Sequence, residues 1–269
     1  MQAGWLNAIH YLCARTSSEQ TVVIAFCCMT LVLFLYAAIE DHDSIFILAE
    51  TVHFSGIGCL ACKLIGERDC NCLSLKTQEL TAIFLAVRLY CSFVMEYDIH
   101  TFLDLMTLAA TVWVVYTMRT TLRKTYNDQL DDLHVVYILV PCSLAAVLAH
   151  PTTSHACINR ILWAACVYIE AISVLPQLRL MQKVKTVERF TANYVFALGV
   201  ARFLSCAHWV LQMFDGQSYL STAVGSGLWP MMVLLSEIVQ TFILADFCYY
   251  YILSFAEGSR VVRLPAGIV

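Results

Sequence analysis

The sequence predicts an all-α membrane protein, and both its composition and its pattern of apolar stretches indicate this fold class. Of its 269 residues, 60% are hydrophobic and only 13% are charged, and the mean hydropathy is +0.71. An ordinary soluble domain has about one quarter charged residues, so this chain is not expected to be one. The net charge of -4 gives no indication of nucleic-acid binding.

Eight apolar stretches are candidate spans, since a spanning helix needs about 20 mainly apolar residues. The fifth is the weakest, because it is short and flanked by Asp132 and His134. The first is interpreted as a retained anchor, with a signal peptide as the alternative, because it has neither a strongly basic leader nor a clear cleavage site. The stretches are 22–39, 44–65, 79–96, 101–118, 133–149, 157–178, 192–213 and 229–253.

Basic residues concentrate in alternate connections between the predicted spans. Most of the 16 Lys and Arg residues lie in the connections near 63–76, 119–124 and 179–189 and in the two terminal segments. Because basic loops remain cytosolic, we expect this face and both termini to be cytosolic. The short connections predict one membrane domain at 44–255, preceded by a tail and anchor at 1–43 and followed by a cytosolic tail at 256–269.

Arg88 and Arg202 interrupt the apolar pattern, because each lies well inside an apolar run, "FLAVRLY" and "LGVARFL". Their similar depth, in the second helix of a three-helix unit, predicts an internal repeat. Intramembrane arginines indicate a functional site, and two that face one cavity would bind carboxylates through their guanidinium forks. The alternative is a structural ion pair with a buried acid, for which Glu170 and Asp246 are candidates.

Further residues at intramembrane depth are candidates for the same cavity. Trp163 and Trp209 would line its wall, although tryptophan is also typical of the membrane interface. His53, one turn from Glu50, is a candidate pH sensor because histidine titrates between about pH 5 and 8, and the alternative is a neutral ring bonded to a backbone carbonyl. Arg160 lies near the non-cytosolic end of its span, where its side chain would reach the interface.

The segment "YIEAISVLPQL" places a charge and a helix-breaking proline inside an apolar run. Pro176 predicts a kink near the cytosolic side, where Gln177 is expected to satisfy the backbone groups that the kink frees. Glu170 lies about two turns deeper and is placed to orient an arginine or a tyrosine. Kinks and buried charges together favour a helix bundle that changes shape.

The 13 cysteines do not indicate a secreted disulfide framework, because most lie in apolar stretches where free cysteine behaves as a small hydrophobe. Cys59, Cys62, Cys70 and Cys72 match a zinc pattern only weakly, so packing, or palmitoylation of Cys70 or Cys72, is favoured. The sequence contains no nucleophile elbow, metal-binding helix motif or phosphate-binding glycine loop. We therefore expect neither an enzyme nor a bound metal or cofactor.

From about residue 44 to residue 266 the chain resembles the ER lumen protein-retaining receptors, which recognise KDEL or HDEL C-termini. The resemblance rests on "SLKTQELTAIFLAVRLY", "RKTYND", "ILWAACVYIEAISVLPQL", "NYVFALGVAR", "VQTFILADFCYYYI" and a final "LPA". It implies a seven-helix fold similar to PQ-loop proteins and sugar transporters, with two triple-helix bundles plus a linker helix. The residues before about Asp43 then look like an extra N-terminal transmembrane helix, similar to that of longer plant receptor-like proteins.

The resemblance also implies a function. Such receptors bind escaped ER residents in the acidic Golgi, release them in the ER, and meet the carboxylates of the ligand with membrane-embedded arginines. The implied partners are C-terminal peptides of ER lumenal proteins, membrane lipids and a COPI-type coat at the cytosolic tail, and the implied location is ER and Golgi membranes. The matching residues are Arg88 and Arg202 for the arginines, His53 for pH sensing, Trp163, Glu170 and Trp209 for the site or its support, and Tyr126 and Asp246 for the scaffold.

The chain departs from the family pattern where the ligand's cation is received. Acidic residues of the family receive the Lys or His that begins the tetrapeptide, but Cys91 and Arg160 stand at those positions here. Coulomb energies in partly buried sites are on the order of several kcal/mol, which is enough to abolish or reverse the preference for a peptide that begins with Lys or His. Other departures from the family's site residues are Phe46, Leu89, Ala201, Ser205, His208 and Gln212, and Arg260 and Arg263 stand in place of the tail's lysine cluster.

Three functional hypotheses follow from this reading. The first is a receptor that binds KDEL- or HDEL-type peptides in a pH-dependent way and returns ER proteins from the Golgi. The second is a receptor-like paralogue that no longer binds HDEL and recognises another acidic peptide or partner, which the lost cation site favours. The third is a small-solute transporter of similar fold, which an open route to both faces would support.

Overall fold

The structure, a computed structural model, describes residues 43–95, 99–214, 228–259 and 261–264. The predicted span at 22–39, the segment 1–42 that contains it, and Arg260 lie outside these residues. The described helices are α1 (Asp43–Gly66), α2 (Leu75–Met95), α3 (Ile99–Arg119), α4 (Val136–Leu148), α5 (Cys157–Ile172), α6 (Leu175–Val184), α7 (Arg189–Phe214) and α8 (Trp229–Ala256), and the strands are β1 (Thr186–Glu188) and β2 (Val261–Arg263).

The helices confirm the predicted all-α membrane class. In the described part of the chain, six helical segments are long and apolar enough to cross a membrane, with α5 and α6 together forming one of them. The apolar helix α4 occupies the place of the weakest predicted span and has only 13 residues. Its length is about 20 Å, which is less than the ≈ 30 Å hydrocarbon core of a bilayer.

The helices form two three-helix units with the same internal order. In the first unit, α1 and α2 pack against α3 rather than against each other, and in the second unit α5 and α7 pack in the same way against α8. Between the units, α1 packs against α7 and α2 packs against α5. The first helix of each unit thus lies against the second helix of the other, as expected for an internal repeat, and α4 packs on α5 as the linker.

Two glycines allow α7 to approach its neighbours closely. A Cβ at Gly56 of α1 would lie 3.0 Å from the Cβ of Ala197, and a Cβ at Gly199 would overlap the Sγ of Cys248 in α8. Glycine is the residue that permits such close approach of helix backbones. The depth of Arg202, one turn further along α7, is therefore fixed by tight packing on two sides.

The basic connections lie together at one end of the bundle, called the basic end below and comprising Lys63 and residues 67–74, 120–135, 185–188, 257–259 and 261–264. Lys63, in the last turn of α1, donates to the Oε2 of Glu188 at 2.7 Å and to the Oγ1 of Thr191 at 2.8 Å. Strand β2 pairs antiparallel with β1, and Val262 inserts into the core. The predicted cytosolic tail is therefore held against the membrane domain over residues 261–264.

Candidate functional site

A cluster of buried charges lies where the two units meet. Arg88 on α2 and Arg202 on α7 occupy equivalent helices of the two units, and both bind the carboxylate of Glu170 on α5. The Nη1 of Arg88 donates to the two oxygens of Glu170 at 3.1 and 3.2 Å, and the Nη1 of Arg202 donates to Oε1. Glu170 therefore joins the units through Arg88 and binds Arg202 within its own unit. Asp246, the other predicted acidic partner, is exposed and lines a separate pocket near Leu178.

Arg88 is surrounded by carboxylates from three helices. Its Nε donates to the Oδ2 of Asp104 on α3 at 2.7 Å, and its Nη2 donates to Oδ1 of the same carboxylate. Its Nη2 also lies 3.4 Å from the Oε1 of Glu50 on α1. Sequence reasoning missed Asp104, although the signal was the one that identified the arginines, an ionisable residue inside the apolar run "TFLDLMTLAATVW".

Glu237 on α8 was missed in the same way. It is buried, and the Nε2 of Gln240 donates to its Oε2 at 2.5 Å.

The buried charged residues where the units meet, together with His53, are called the charged centre below. Its members are Glu50, His53, Arg88, Asp104, Glu170, Arg202 and Glu237. Its four carboxylates face two arginines, so a further carboxylate can enter only if an internal one moves or takes up a proton.

The charged centre surrounds a cavity of about 50 Å³ between the units. This volume holds a few water molecules and is far below the ≈ 300 Å³ at which small-molecule sites begin. A peptide would therefore need the helices to separate. The structure brings six of the predicted site residues to the wall of this cavity, and these are His53, Arg88, Trp163, Glu170, Arg202 and Trp209.

His53 faces the cavity without a full set of hydrogen bonds. It is 4% exposed, and in the described residues its Nε2 has no hydrogen-bond partner. The ring also lines a second, smaller cavity of about 10 Å³ on the side of Thr77 and Ser173. A buried ring nitrogen without a partner is costly unless a ligand or water completes it, so His53 is positioned to respond to what enters the cavity.

Cys91 and Arg160 lie apart from this cavity wall. The thiol of Cys91 is buried, 3.9 Å from the backbone oxygen of Asn159, at the start of α5. The Nη1 of Arg160 donates to the backbone oxygen of Thr153 at 3.5 Å, and its Nε is buried without a partner in the described residues. The two positions therefore neighbour each other at the end of the bundle opposite the basic end.

The helix is interrupted where Pro176 predicts a kink, between the end of α5 and the start of α6. The expected role of Gln177 is wrong in one respect. Its Nε2 donates to the backbone oxygen of Cys72 at 2.8 Å, and its Oε1 accepts from the backbone nitrogen of Ser74 at 2.8 Å. Gln177 thus satisfies the α1–α2 connection instead of its own helix, and Ser173 binds the backbone oxygen of Glu170.

The basic end contains a second buried polar network. Asp131 accepts from the Oγ of Ser74 and the Oη of Tyr126, both at 2.8 Å, and from the backbone nitrogen of Lys76 at 3.2 Å. Burial, together with the hydrogen bond to Asp131, raises the pKa of Tyr126 well above its usual value. The phenol therefore remains a proton donor, which keeps this network in one arrangement.

The cysteines at the basic end are not placed for acylation. Cys70 is 1% exposed and Cys72 is 7% exposed. Burial raises the pKa of the Cys70 thiol, which lies 3.0 Å from the Oγ1 of Thr125. A buried, protonated thiol is a poor nucleophile, so the palmitoylation expected at these positions is not supported. In the described ranges, no group of three His, Cys, Asp or Glu side chains is arranged to hold a metal ion.

The amino-acid sequence is similar to those of known proteins. A family model described as ER lumen protein retaining receptor matches residues 69–212. The chain is 31% identical to the ER lumen protein-retaining receptor of Entamoeba histolytica over 80% of its own length and 96% of the relative's. It is 31% identical to ER lumen protein-retaining receptor B of Arabidopsis thaliana over 83% and 100%, and 31% identical to the Drosophila melanogaster receptor over 80% and 95% of the two chains.

Proposed function

Because this chain belongs to the ER lumen protein-retaining receptor family, we propose that it binds KDEL- or HDEL-type C-terminal peptides of ER lumenal proteins. Such a receptor returns these proteins from the Golgi to the ER. The observation that supports the proposal most is the pair Arg88 and Arg202, which reach one cavity from equivalent helices of two units. Two forked cations at one place suit a ligand with several carboxylates.

The ligand's carboxylates replace internal ones in this proposal. Arg88 and Arg202 release Glu170 or turn towards the peptide, while Trp163 and Trp209 form apolar walls on either side. The cavity of about 50 Å³ must enlarge for this, and the interruption before Pro176 is a place where α5 can move relative to α6. Binding is thus coupled to a separation of the two units.

Binding is proposed to strengthen at acidic pH. A ligand carboxylate beside His53 favours the protonated imidazole, whose Nε2 lacks a partner among the described residues. Binding then takes up a proton, so the affinity rises as the pH falls through the titration of the ring. This direction suits capture in an acidic compartment and release in a neutral one.

The location, the lipid contacts and the coat partner are proposed from the same family membership. The protein acts in ER and Golgi membranes as a receptor and performs no chemical step. Its lipid contacts are made by the apolar outer faces of the helices, where Phe102, Leu148 and Phe242 are exposed. A COPI-type coat would approach the basic end, where β1 and β2 present Arg263.

The test is the binding of a labelled HDEL peptide to the purified full chain at about pH 5.5 and about pH 7.4, which bracket histidine titration. The same peptide with a C-terminal amide is the matched control, since it lacks only the terminal carboxylate. We expect acid-dependent binding of the free-acid peptide and weak binding of the amide. Folded protein that binds neither peptide at either pH overturns the proposal.

A second candidate, a receptor-like paralogue with a different peptide ligand, is favoured by Cys91 and Arg160. They neighbour each other at the end opposite the basic end, where a Lys- or His-led peptide would meet a thiol and a like charge at these two positions. The double variant Cys91→Asp, Arg160→Glu should then strengthen the binding of Lys- or His-led tetrapeptides. An unchanged affinity would mean that this end of the protein does not receive the cation.

A further inference from the structure

The fork of Arg88 is already occupied by a carboxylate of the same unit. Its Nε and Nη2 both donate to Asp104, one to each carboxylate oxygen. This two-point geometry is the one in which a guanidinium recognises a ligand carboxylate. Asp104 is 3% exposed and approaches from α3, whereas the cavity lies between the units. The edge of Arg88 that is best suited to a ligand is therefore turned towards Asp104.

The equivalent position of the other unit is arranged differently. Glu237 lies on α8, the third helix of its unit, as Asp104 lies on α3. Its Oε2 accepts from the amide of Gln240 at 2.5 Å, and Arg202 meets Glu170 through Nη1. Both units thus carry an arginine at similar depth. Arg88 is paired at two points with the carboxylate on the third helix of its unit, whereas Arg202 meets Glu170 on the first helix of its unit.

From this geometry we propose that Asp104 is an internal competitor that sets the affinity of the receptor, an inference that rests on the proposed function. A peptide carboxylate binds Arg88 in the two-point geometry only after Asp104 has released it. The charges support competition, because Arg88 already faces Asp104, Glu170 and Glu50, and another anion in the same place is repelled. Asp104 is thus a specificity-determining residue: it disfavours weakly charged ligands and admits those whose carboxylates displace it.

The structure provides a substitution that removes the competitor and leaves the arginine paired. In Asp104→Asn, Arg88 keeps Glu170 at 3.1 Å and Glu50 at 3.4 Å. The charged centre still contains three carboxylates for its two arginines, so no buried cation is left without a counter-charge. We therefore expect the variant to fold. The matched control is Asp132→Asn, the same change at an exposed aspartate that pairs with Arg179 and Lys183 at the basic end.

The experiment measures the affinity of the labelled HDEL peptide for the purified full chain, for Asp104→Asn and for Asp132→Asn at about pH 5.5. We expect Asp104→Asn to bind about tenfold or more tightly and Asp132→Asn to bind like the unchanged chain. In the double variant Arg88→Ala, Asp104→Asn, this gain should disappear, because it acts through Arg88. Melting temperatures of all variants report whether each is folded.

The outcomes separate this inference from the proposed function. If the unchanged chain binds the peptide and Asp104→Asn binds equally or more weakly, Asp104 positions Arg88 for the ligand, and the competition is overturned while the receptor function stands. If only Asp104→Asn binds, the competition stands and the unchanged chain is not an HDEL receptor. If neither folded protein binds, both are overturned.

Discussion

The charged centre and the basic end are both buried and polar, but they differ in how completely their groups are paired. At the basic end, Asp131 has three donors and Lys63 has three acceptors. In the charged centre, carboxylates outnumber arginines, and the Nε2 of His53 has no partner in the part of the chain that the structure describes. A saturated network stabilises one arrangement, whereas an unsaturated one can accept a ligand or a proton.

This difference assigns a separate task to each region. The basic end ties the α1–α2 connection, the α3–α4 connection and the segment after α8 to the bundle. The charged centre lies where α1 meets α7 and α2 meets α5, the two contacts that must change if the units separate. Changes at the basic end should therefore affect stability, and changes in the charged centre should affect ligand binding.

The largest effect on binding is expected from Arg88→Ala. Removing one partner of a desolvated charge pair costs about 2–5 kcal/mol, so HDEL affinity should fall by about thirtyfold or more. The matched control is Arg119→Ala, since Arg119 is more than half exposed and pairs with Glu79 outside the charged centre. Titration of the HDEL peptide compares the affinities of the two variants. Equal affinities of Arg88→Ala and Arg119→Ala would mean that the ligand binds elsewhere.

The largest effect on stability is expected from Asp131→Ala. The change leaves the buried hydroxyl of Ser74 and the partly buried hydroxyl of Tyr126 without their acceptor. A buried group that loses its partner costs about 1–3 kcal/mol. Thermal unfolding followed by size-exclusion chromatography should show a clear fall in melting temperature. The HDEL affinity of the fraction that remains folded should be unchanged, and a parallel loss of affinity would contradict the division between the two regions.

A smaller and more selective effect is expected from His53→Gln, which replaces a titratable ring with a neutral amide. The affinity at about pH 7.4 should change little, while the gain at about pH 5.5 should be lost, because no proton is then taken up on binding. Peptide titrations at both pH values give the ratio of the two affinities. If the variant keeps the ratio of the unchanged chain, another group senses pH.

The smallest effect is expected from Asp132→Asn at the basic end. The hydrogen bond from Lys183, with Arg179 nearby, lowers the pKa of Asp132 below its usual value. Its contribution is therefore present above the ordinary aspartate pKa and is lost as the pH falls through the lowered one. Because the pair is exposed, the change in unfolding free energy should stay within about 0.5 kcal/mol at neutral pH. A larger loss in thermal unfolding would show that this surface pair belongs to the saturated network.

The sequence was sufficient for the fold class, for the order of the spans from residue 44 onwards and for the depth of the two arginines. Depth follows directly from position in an apolar run, which is why Arg88 and Arg202 were found. The direction in which a helical residue points depends on helix rotation and packing, which hydropathy does not report. The sequence indicates the depth of Asp104 and Glu237 but not that they point towards the arginines. For the same reason Asp246 was considered as a partner although it is exposed.

Several of the residues predicted for the site line one cavity in the structure. His53, Trp163 and Glu170 lie on helices whose facing sides meet at the cavity, as their depth and the family resemblance suggested. The role of Gln177 depended on which loop folds over the interrupted helix, and local sequence does not specify that contact. Tertiary contacts of loops were thus the least predictable part of the site.

The most direct test of the central claim, that the charged centre is the peptide site, is an experimental structure of the full chain with an HDEL peptide at about pH 5.5. We predict that carboxylate oxygens of the peptide lie within hydrogen-bonding distance of Arg88 and Arg202, in a cavity enlarged between α1, α2, α5 and α7. A peptide bound elsewhere, with Arg88 still on Asp104 and Arg202 still on Glu170, would contradict it.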